Sequence, residues 1–139
     1  MRREIVKHNM DREFEKENID DLYAEFRTEI NTLEIRRDAI TREMEEINAD
    51  QNLLDDIYEK MRWIFKEVAE HCDEEQFLAE MEWHEDDFYD SRRKIENELE
   101  EEKESLETEK RNSYRKEEEL RDEFQRAKQL YYDCHSWIP

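Results

Sequence analysis

The sequence contains no glycine, and its single proline is the last of its 139 residues. Tight turns usually take glycine for positive φ angles and proline to fix φ, so a chain nearly without both makes few reversals. Charged side chains make up 47% of the chain and hydrophobic ones 35%, a profile typical of long, exposed helices. The composition therefore predicts an all-α protein of two or three long helices rather than one compact globular domain.

Long apolar runs are missing as well. No segment approaches the roughly 20 apolar residues of a membrane-spanning helix, and the start, MRREIVKHNMDREFEKEN, lacks the apolar core of a secretory signal peptide. The chain carries 43 acidic against 23 basic residues, and its net charge of −20 repels phosphate backbones and anionic lipids. We expect a cytoplasmic protein, or one exported with its partner without a cleaved signal, that neither binds nucleic acid nor inserts into membranes.

Chemical sites are also scarce. Cys72 and Cys134 form no CxxC pair, which excludes a zinc ribbon or redox motif of that type. On a helix Glu80, His84 and Asp87 would share one face within reach of a cation, but so acidic a chain places acids near any histidine by chance. A helical hairpin also offers no cavity in which two carboxylates could acquire different pKa values. We expect a solvated acidic face there, with no metal, cofactor or catalytic residue.

A heptad pattern predicts the first long helix. From residue 23 to residue 72, apolar side chains recur at alternating steps of three and four, and such a stripe must be covered by another helix. We call this stripe the seam. Only Arg37 and Gln51 interrupt it, and its two registers read Tyr23, Ile30, Arg37, Met44, Gln51, Tyr58, Phe65, Cys72 and Phe26, Leu33, Ile40, Ile47, Leu54, Met61, Val68.

A sparser seam of similar period predicts the second helix. Asp73 is expected to cap this helix, with Gln76 completing a capping box. The second seam consists of Leu78, Met81, Phe88, Ile95, Leu99, Leu106, Leu120, Phe124, Ala127 and Tyr131. The predicted organisation is an N-terminal segment at 1–18, helical or frayed, one hairpin domain at 19–132 with helices at about 19–71 and 74–132 and a turn at about 71–74, and a C-terminal tail at 133–139.

The register of the two seams favours an antiparallel hairpin. If the chain reverses near residue 73, positions whose numbers add up to about 146 lie level, which places Phe88 beside Tyr58 and Leu120 beside Phe26. The same rule sets Arg37 opposite Glu109, so that a buried charge finds a counter-charge. We therefore predict a long antiparallel helical hairpin or coiled coil, alone or within a larger helical bundle. A parallel dimer of straight helices stays open as an alternative.

A second set of apolar residues falls outside the seams and predicts a partner-binding surface. Between Lys66 and Arg92 the chain has eleven acids and no Lys or Arg, interleaved with aromatic residues. Trp63 and Trp83 are expected to point outward, and because they lie level along the hairpin they are expected to lie side by side. A mixture of acids and apolar anchors suits a protein partner, whereas the alternative is a wider intramolecular stripe. The predicted partner-binding residues are Leu53, Ile57, Trp63, Ile64, Phe77, Trp83 and Tyr89.

The second helix also resembles a known family. The stretch EWHEDDFYD, followed by KIENELEEEKESLETEKRNSYRKEEELRDEFQRAK, resembles small α-helical proteins encoded with LXG-type toxins of the bacterial type VII secretion system, over roughly residues 83–128. The resemblance implies a hairpin like that of the WXG-motif proteins, although WHE stands here in place of Trp-x-Gly. It also implies pairing with a helical toxin domain, and Tyr114 with Glu118 fits the Tyr-x-x-x-Asp/Glu export pattern of that pathway.

These observations predict a non-catalytic helical binding protein. The resemblance favours a targeting partner, or chaperone-like adaptor, which binds the helical domain of a type VII toxin or another small helical protein. The alternative is a self-assembling coiled-coil scaffold, in which the same apolar stripe makes a homodimer or a four-helix bundle.

Overall fold

The computed structural model describes residues 16–135, which form two α-helices and a short connection. Helix α1 spans Lys16–His71 and helix α2 spans Glu75–His135, with no strand among the described residues. The two helices pack against each other as a helical hairpin, which confirms the predicted all-α fold. Most of the predicted N-terminal segment, and the tail beyond His135, lie outside the described residues.

The chain reverses at residues 72–74 without glycine. No residue between 16 and 135 has a positive φ angle, so α1 ends without the left-handed residue that glycine usually provides. The first bond of α2 runs from the Leu78 N–H to the Glu74 carbonyl at 3.0 Å. Glu74, rather than the predicted Asp73, therefore occupies the N-cap position, and Glu75 in the first turn suits the helix dipole.

The hairpin contacts divide into two units, each built from part of α1 and part of α2. The terminal unit comprises the described residues up to 40 and from 109 onward, and the turn unit comprises residues 41–108. The seam predicted on α1 runs through both, and of its fifteen residues all but Tyr23 are buried or half-buried. The heptad reading of α1 is thereby confirmed within each unit.

The core of the terminal unit is aliphatic and aromatic. Ile30 and Ile40 are fully buried. Phe26 and Phe124 stack with ring centroids 4.7 Å apart. Phe26 and Leu120 line the same small apolar cleft, as expected of two positions whose numbers add up to about 146. Burying these side chains stabilises the unit by about 1.5–3 kcal/mol for each fully buried one.

The core of the turn unit centres on aromatic rings. Phe88 packs edge-on against Tyr58, with ring centroids 4.9 Å apart, and against Phe65 at 5.9 Å. The prediction that Phe88 lies beside Tyr58 is thus confirmed. Ile95, predicted for the seam, is 38% exposed, whereas the neighbouring Glu96 is half-buried. The covered stripe of α2 shifts by one residue at this point.

The predicted pairing of Arg37 with Glu109 is wrong. Arg37 is buried and donates from Nη2 to Oε1 of Glu117 at 2.7 Å, whereas Glu109 accepts two bonds from Arg36 at 2.7 and 2.9 Å. Side chains on a helix lean toward its N-terminus. In an antiparallel pair this lean carries Arg37 toward higher numbers on α2, and Glu117 leans back to meet it.

Candidate functional site

All seven predicted partner-binding residues lie in the turn unit, and six of them are exposed. Tyr89 is half-buried. Exposed fractions of 59% for Leu53, 62% for Trp63 and 64% for Trp83 show that the hairpin contact leaves these side chains uncovered. The contact between the two helices is therefore not wide enough to cover these side chains, as the alternative of a wider intramolecular stripe required. Ile57, Ile64 and Phe77 are also exposed, each by about two fifths.

Leu53, Ile57 and Ile64 lie along one side of α1, and we call this set the flank stripe. At 100° per residue, their spacings of four and seven place all three within about 40° of one another around the helix. The strip is roughly 16 Å long at about 1.5 Å per residue. It lies beside the seam residues Tyr58 and Phe65, which are buried against α2.

The two tryptophans do not lie side by side, contrary to the prediction. Trp63 stands midway between the half-buried Met61 and the buried Phe65, so its side chain leaves α1 on the side opposite α2. Trp83 stands in the same way between the half-buried Met81 and Glu85 and leaves α2 on the side opposite α1. Among the described residues Trp83 makes a ring contact with its neighbour His84, and no ring contact joins it to Trp63. Positions that are level along the hairpin are not adjacent here.

Phe77 and Tyr89 lie on different sides of the turn unit. Phe77 directly precedes the half-buried Leu78, as Ile64 precedes Phe65, and in an antiparallel pair such positions border the same side of the hairpin. Tyr89 follows Phe88, whose ring it contacts at 6.1 Å, and borders the other side. The predicted surface is therefore several faces, one of which combines the flank stripe with Phe77.

Acidic side chains surround the flank stripe. Asp50 and Asp56 are exposed one turn from Leu53, and Glu80 and Asp87 are exposed on the side of α2 that carries Phe77. None of these four carboxylates forms an ion pair or hydrogen bond within residues 16–135. Lys60 is the base that lies along the stripe, between Ile57 and Ile64. The apolar strip is thus bordered mainly by negative charge that no partner on this chain neutralises.

Glu80, His84 and Asp87 do not converge on a cation. Within the part of the chain that the structure describes, no group of three or more His, Cys, Asp or Glu side chains is placed to hold a metal ion. His84 is exposed, and its ring faces that of Trp83 at 5.1 Å. The three residues belong to the solvated face of α2.

The proposed export residues lie in the terminal unit. Tyr114 and Glu118 are both exposed and one helical turn apart, so they share one face of α2. The Arg37 guanidinium lies over the Tyr114 ring, 4.2 Å from its centroid. Tyr114 therefore covers a buried charge, a role in the folded chain that the export pattern alone does not suggest.

Around Arg37 the terminal unit holds a polar layer that sequence reasoning missed. It consists of Arg37, Tyr114 and Glu117, joined by Arg121, whose Nε lies 3.5 Å from Oε2 of Glu117. Hydrogen bonding to Arg37 lowers the pKa of the Glu117 carboxyl, and the nearby charges of Arg37 and Arg121 lower it further. Arg37 was a visible break in the seam, but the identity of its partner depends on side-chain direction.

A second cross-helix charge contact lies in the turn unit. The Arg92 guanidinium sits 4.6 Å from the centre of the Tyr58 ring, 3.6 Å from Asp55 and 2.8 Å from Glu96. The hydrogen bond to Glu96 raises the pKa of Arg92 above its already high ordinary value. Like the polar layer, this contact is intramolecular and serves the hairpin.

Comparison of the chain with protein-family models, with curated proteins and with solved structures finds no match. Between residues 16 and 135, neither helix contains a stretch apolar and long enough to traverse a bilayer. Function must therefore be argued from the faces of the hairpin.

Proposed function

We propose that this chain is a non-catalytic helical binding protein that acts as an adaptor for another helical protein. The observation that carries the proposal is the flank stripe, an apolar strip left exposed on a hairpin whose seam is already covered. Contiguous exposed apolar side chains on a soluble protein commonly mark contacts with other proteins. Removing them from water on binding would contribute about 25 cal/mol per Å² of apolar surface.

The proposed mode of binding is the addition of a third helix. A helix laid along α1 would cover Leu53, Ile57 and Ile64 with its own apolar face, and Phe77 from α2 would border the same contact. Exposed aromatic and aliphatic side chains of this kind provide the few anchors that dominate helix-in-groove binding. The hairpin would then be two helices of a larger bundle.

The most specific form of this proposal is a targeting partner for an LXG-type toxin of the type VII secretion system. Support comes from the hairpin architecture, the resemblance of residues 83–128 to such partners, and the exposure of Tyr114 and Glu118 on one face. In this form the toxin's helical domain supplies the third helix. The chain would accompany the toxin to the secretion machinery.

The second candidate is a self-assembling scaffold. Its specific support is the heptad spacing itself, which brings Ile57 and Ile64 to equivalent positions in successive heptads, as in helices that pair with their own copies. Two hairpins joined through this stripe would form a four-helix bundle.

The decisive experiment captures the tagged chain from its source cells and identifies the proteins that accompany it by mass spectrometry. Recovery of a long helical toxin domain or another small helical protein would support the adaptor. Recovery of the chain alone, with a mass above the monomer by light scattering, would support the scaffold.

Variants then locate the surface. The stripe variant combines Leu53→Gln, Ile57→Gln and Ile64→Gln. This variant should lose the captured partner, while its circular dichroism should show unchanged helicity. The matched control is Ile35→Gln, because Ile35 is 68% exposed on α1 away from the stripe. Retention of the partner by the stripe variant would contradict this site. Trp63→Ala and Trp83→Ala are tested separately, since their side chains point in opposite directions.

A further inference from the structure

We infer that the flank stripe receives a basic amphipathic helix, one with an apolar strip bordered by Lys and Arg, rather than a second copy of this chain. The inference rests on the proposed helical binding function and names the chemistry of the partner. It follows from the charges around the stripe and from the charges missing there.

Unpaired acids lie at the edge of the stripe. Asp50, Asp56, Glu80 and Asp87 are exposed and make no ion pair or hydrogen bond with any described residue. Glu109, in the terminal unit, is an exposed carboxylate that does pair, with Arg36. A partner helix with Lys or Arg beside its apolar face would supply the missing counter-charges, and complementary charge at a rim chiefly sets orientation and association rate.

Lysine and arginine are missing from the sequence around the turn. Between Lys66 and Arg92 there are eleven acids and no Lys or Arg, and this stretch contains Phe77, Glu80 and Asp87 from the same face. The field there has one sign and steers cationic partners toward the stripe. The eleven acids are Glu67, Glu70, Asp73, Glu74, Glu75, Glu80, Glu82, Glu85, Asp86, Asp87 and Asp90.

A second copy of the chain would bring charge of the same sign to the stripe. Two chains meeting stripe to stripe would bring two net charges of −20 together. Carboxylates on the rims would face their counterparts across the interface, and charges closer than about 8 Å, the Debye length at physiological salt, are only partly screened. Lys60 offers a single compensating charge along each stripe. Like charges across an interface select against that partner.

The experiment uses two synthetic helical peptides as probes for the full chain. Both carry the same Leu/Ile heptad strip, and they differ only in having Lys or Glu at the positions that border it. Three variants of the chain are compared: the stripe variant, the Ile35→Gln control, and a rim variant that combines Asp50→Asn, Asp56→Asn, Glu80→Gln and Asp87→Asn. Affinities are measured by calorimetry, and the mass of the free chain by analytical ultracentrifugation.

The expected result is binding of the Lys-bordered peptide with an affinity that falls about tenfold or more in both the stripe variant and the rim variant, and stays unchanged in Ile35→Gln. Binding should also weaken as NaCl is raised. The Glu-bordered peptide should bind the native chain at least about a hundredfold more weakly.

Three results would overturn the inference. Equal binding of the Lys-bordered peptide by the stripe variant would show attraction by charge alone, without a docking strip. Equal binding of both peptides would show that charge does not select the partner. If the native chain is a dimer and the stripe variant is a monomer, the stripe would be assigned to a second copy.

The proposed function can fail independently of this inference. If a captured cellular partner is lost by the stripe variant but held undiminished by the rim variant, the adaptor function stands and the basic partner is refuted. If the stripe variant keeps that partner, the site of the adaptor function itself is refuted.

Discussion

Glu117→Leu should destabilise the hairpin far more than Glu109→Leu, although both substitutions remove a carboxylate bound to an arginine of α1. The Arg37–Glu117 pair is largely shielded, with 10% and 18% of the two side chains exposed, whereas the Arg36–Glu109 pair is 44% and 45% exposed. Glu117→Leu leaves the buried Arg37 guanidinium without its 2.7 Å acceptor.

The expected magnitudes follow from this difference in burial. A hydrogen bond to a charged group contributes about 1.5–3 kcal/mol, so Glu117→Leu should lower the free energy of unfolding by about 2–3 kcal/mol. Glu109→Leu should have only a small effect, because solvent screens an exposed ion pair and ordering its two long side chains costs entropy. The double variant Arg37→Leu/Glu117→Leu should lie within about 1 kcal/mol of the native chain, because an apolar pair can replace a buried ion pair at little cost.

Urea denaturation followed by circular dichroism measures these differences. The native chain, the two single variants Arg37→Leu and Glu117→Leu, and the double variant that combines them form a double-mutant cycle. Equal stability of the Glu117→Leu and Glu109→Leu variants would refute the argument that burial decides the strength of these pairs. A double variant as unstable as Glu117→Leu alone would refute the coupling between Arg37 and Glu117.

Three further predictions concern the same cores. The pKa values of Glu109 and Glu117 are lowered in the folded chain, so the stabilisation they provide is complete above the ordinary glutamate value of 4.5 and is lost as pH falls through the lowered values. The stability gap between the native chain and Glu117→Gln should therefore shrink as pH falls below 4.5 in urea titrations. Phe88→Leu removes three edge-on ring contacts, two of them with rings of α1, and should cost about 1–2 kcal/mol by the same assay; no loss would contradict the ring geometry. Tyr114→Phe should preserve the free energy of unfolding, whereas Tyr114→Ala should lower it by about 1 kcal/mol because it uncovers Arg37. Equal effects of the two substitutions would show that the contact between the ring and Arg37 does not stabilise the fold.

The helices and their seam were predictable because both depend on periodicity. A stripe with steps of three and four determines which face of α1 is covered, and the structure buries or half-buries that face as expected. Phe88 was correctly placed beside Tyr58 for the same reason, because the two positions add up to about 146. Even the lack of glycine was informative, since the reversal at residues 72–74 is made with no positive φ angle in the described chain.

What failed depends on the direction of side chains rather than on spacing along the chain. Trp63 and Trp83 are level but leave their helices on opposite sides, so a rule about height along the hairpin could not decide adjacency. Arg37 reaches Glu117 because side chains lean toward the N-terminus of their own helix. Both corrections were available from helical geometry once the seam was assigned, without any coordinate.

The polar layer around Arg37 has a consequence for the uniqueness of helix pairing in the terminal unit. A seam of apolar residues alone tolerates a slip of one heptad, since Leu, Ile and Phe replace one another with modest loss. Such a slip would carry Arg37 away from Glu117 and from the Tyr114 ring and leave its charge buried against apolar neighbours, which costs several kcal/mol. The layer therefore contributes less to the native stability than to the penalty on misregistered pairings. The double variant Arg37→Leu/Glu117→Leu removes that penalty together with the buried charges, so its small expected loss of stability and its expected tolerance of alternative registers have one cause.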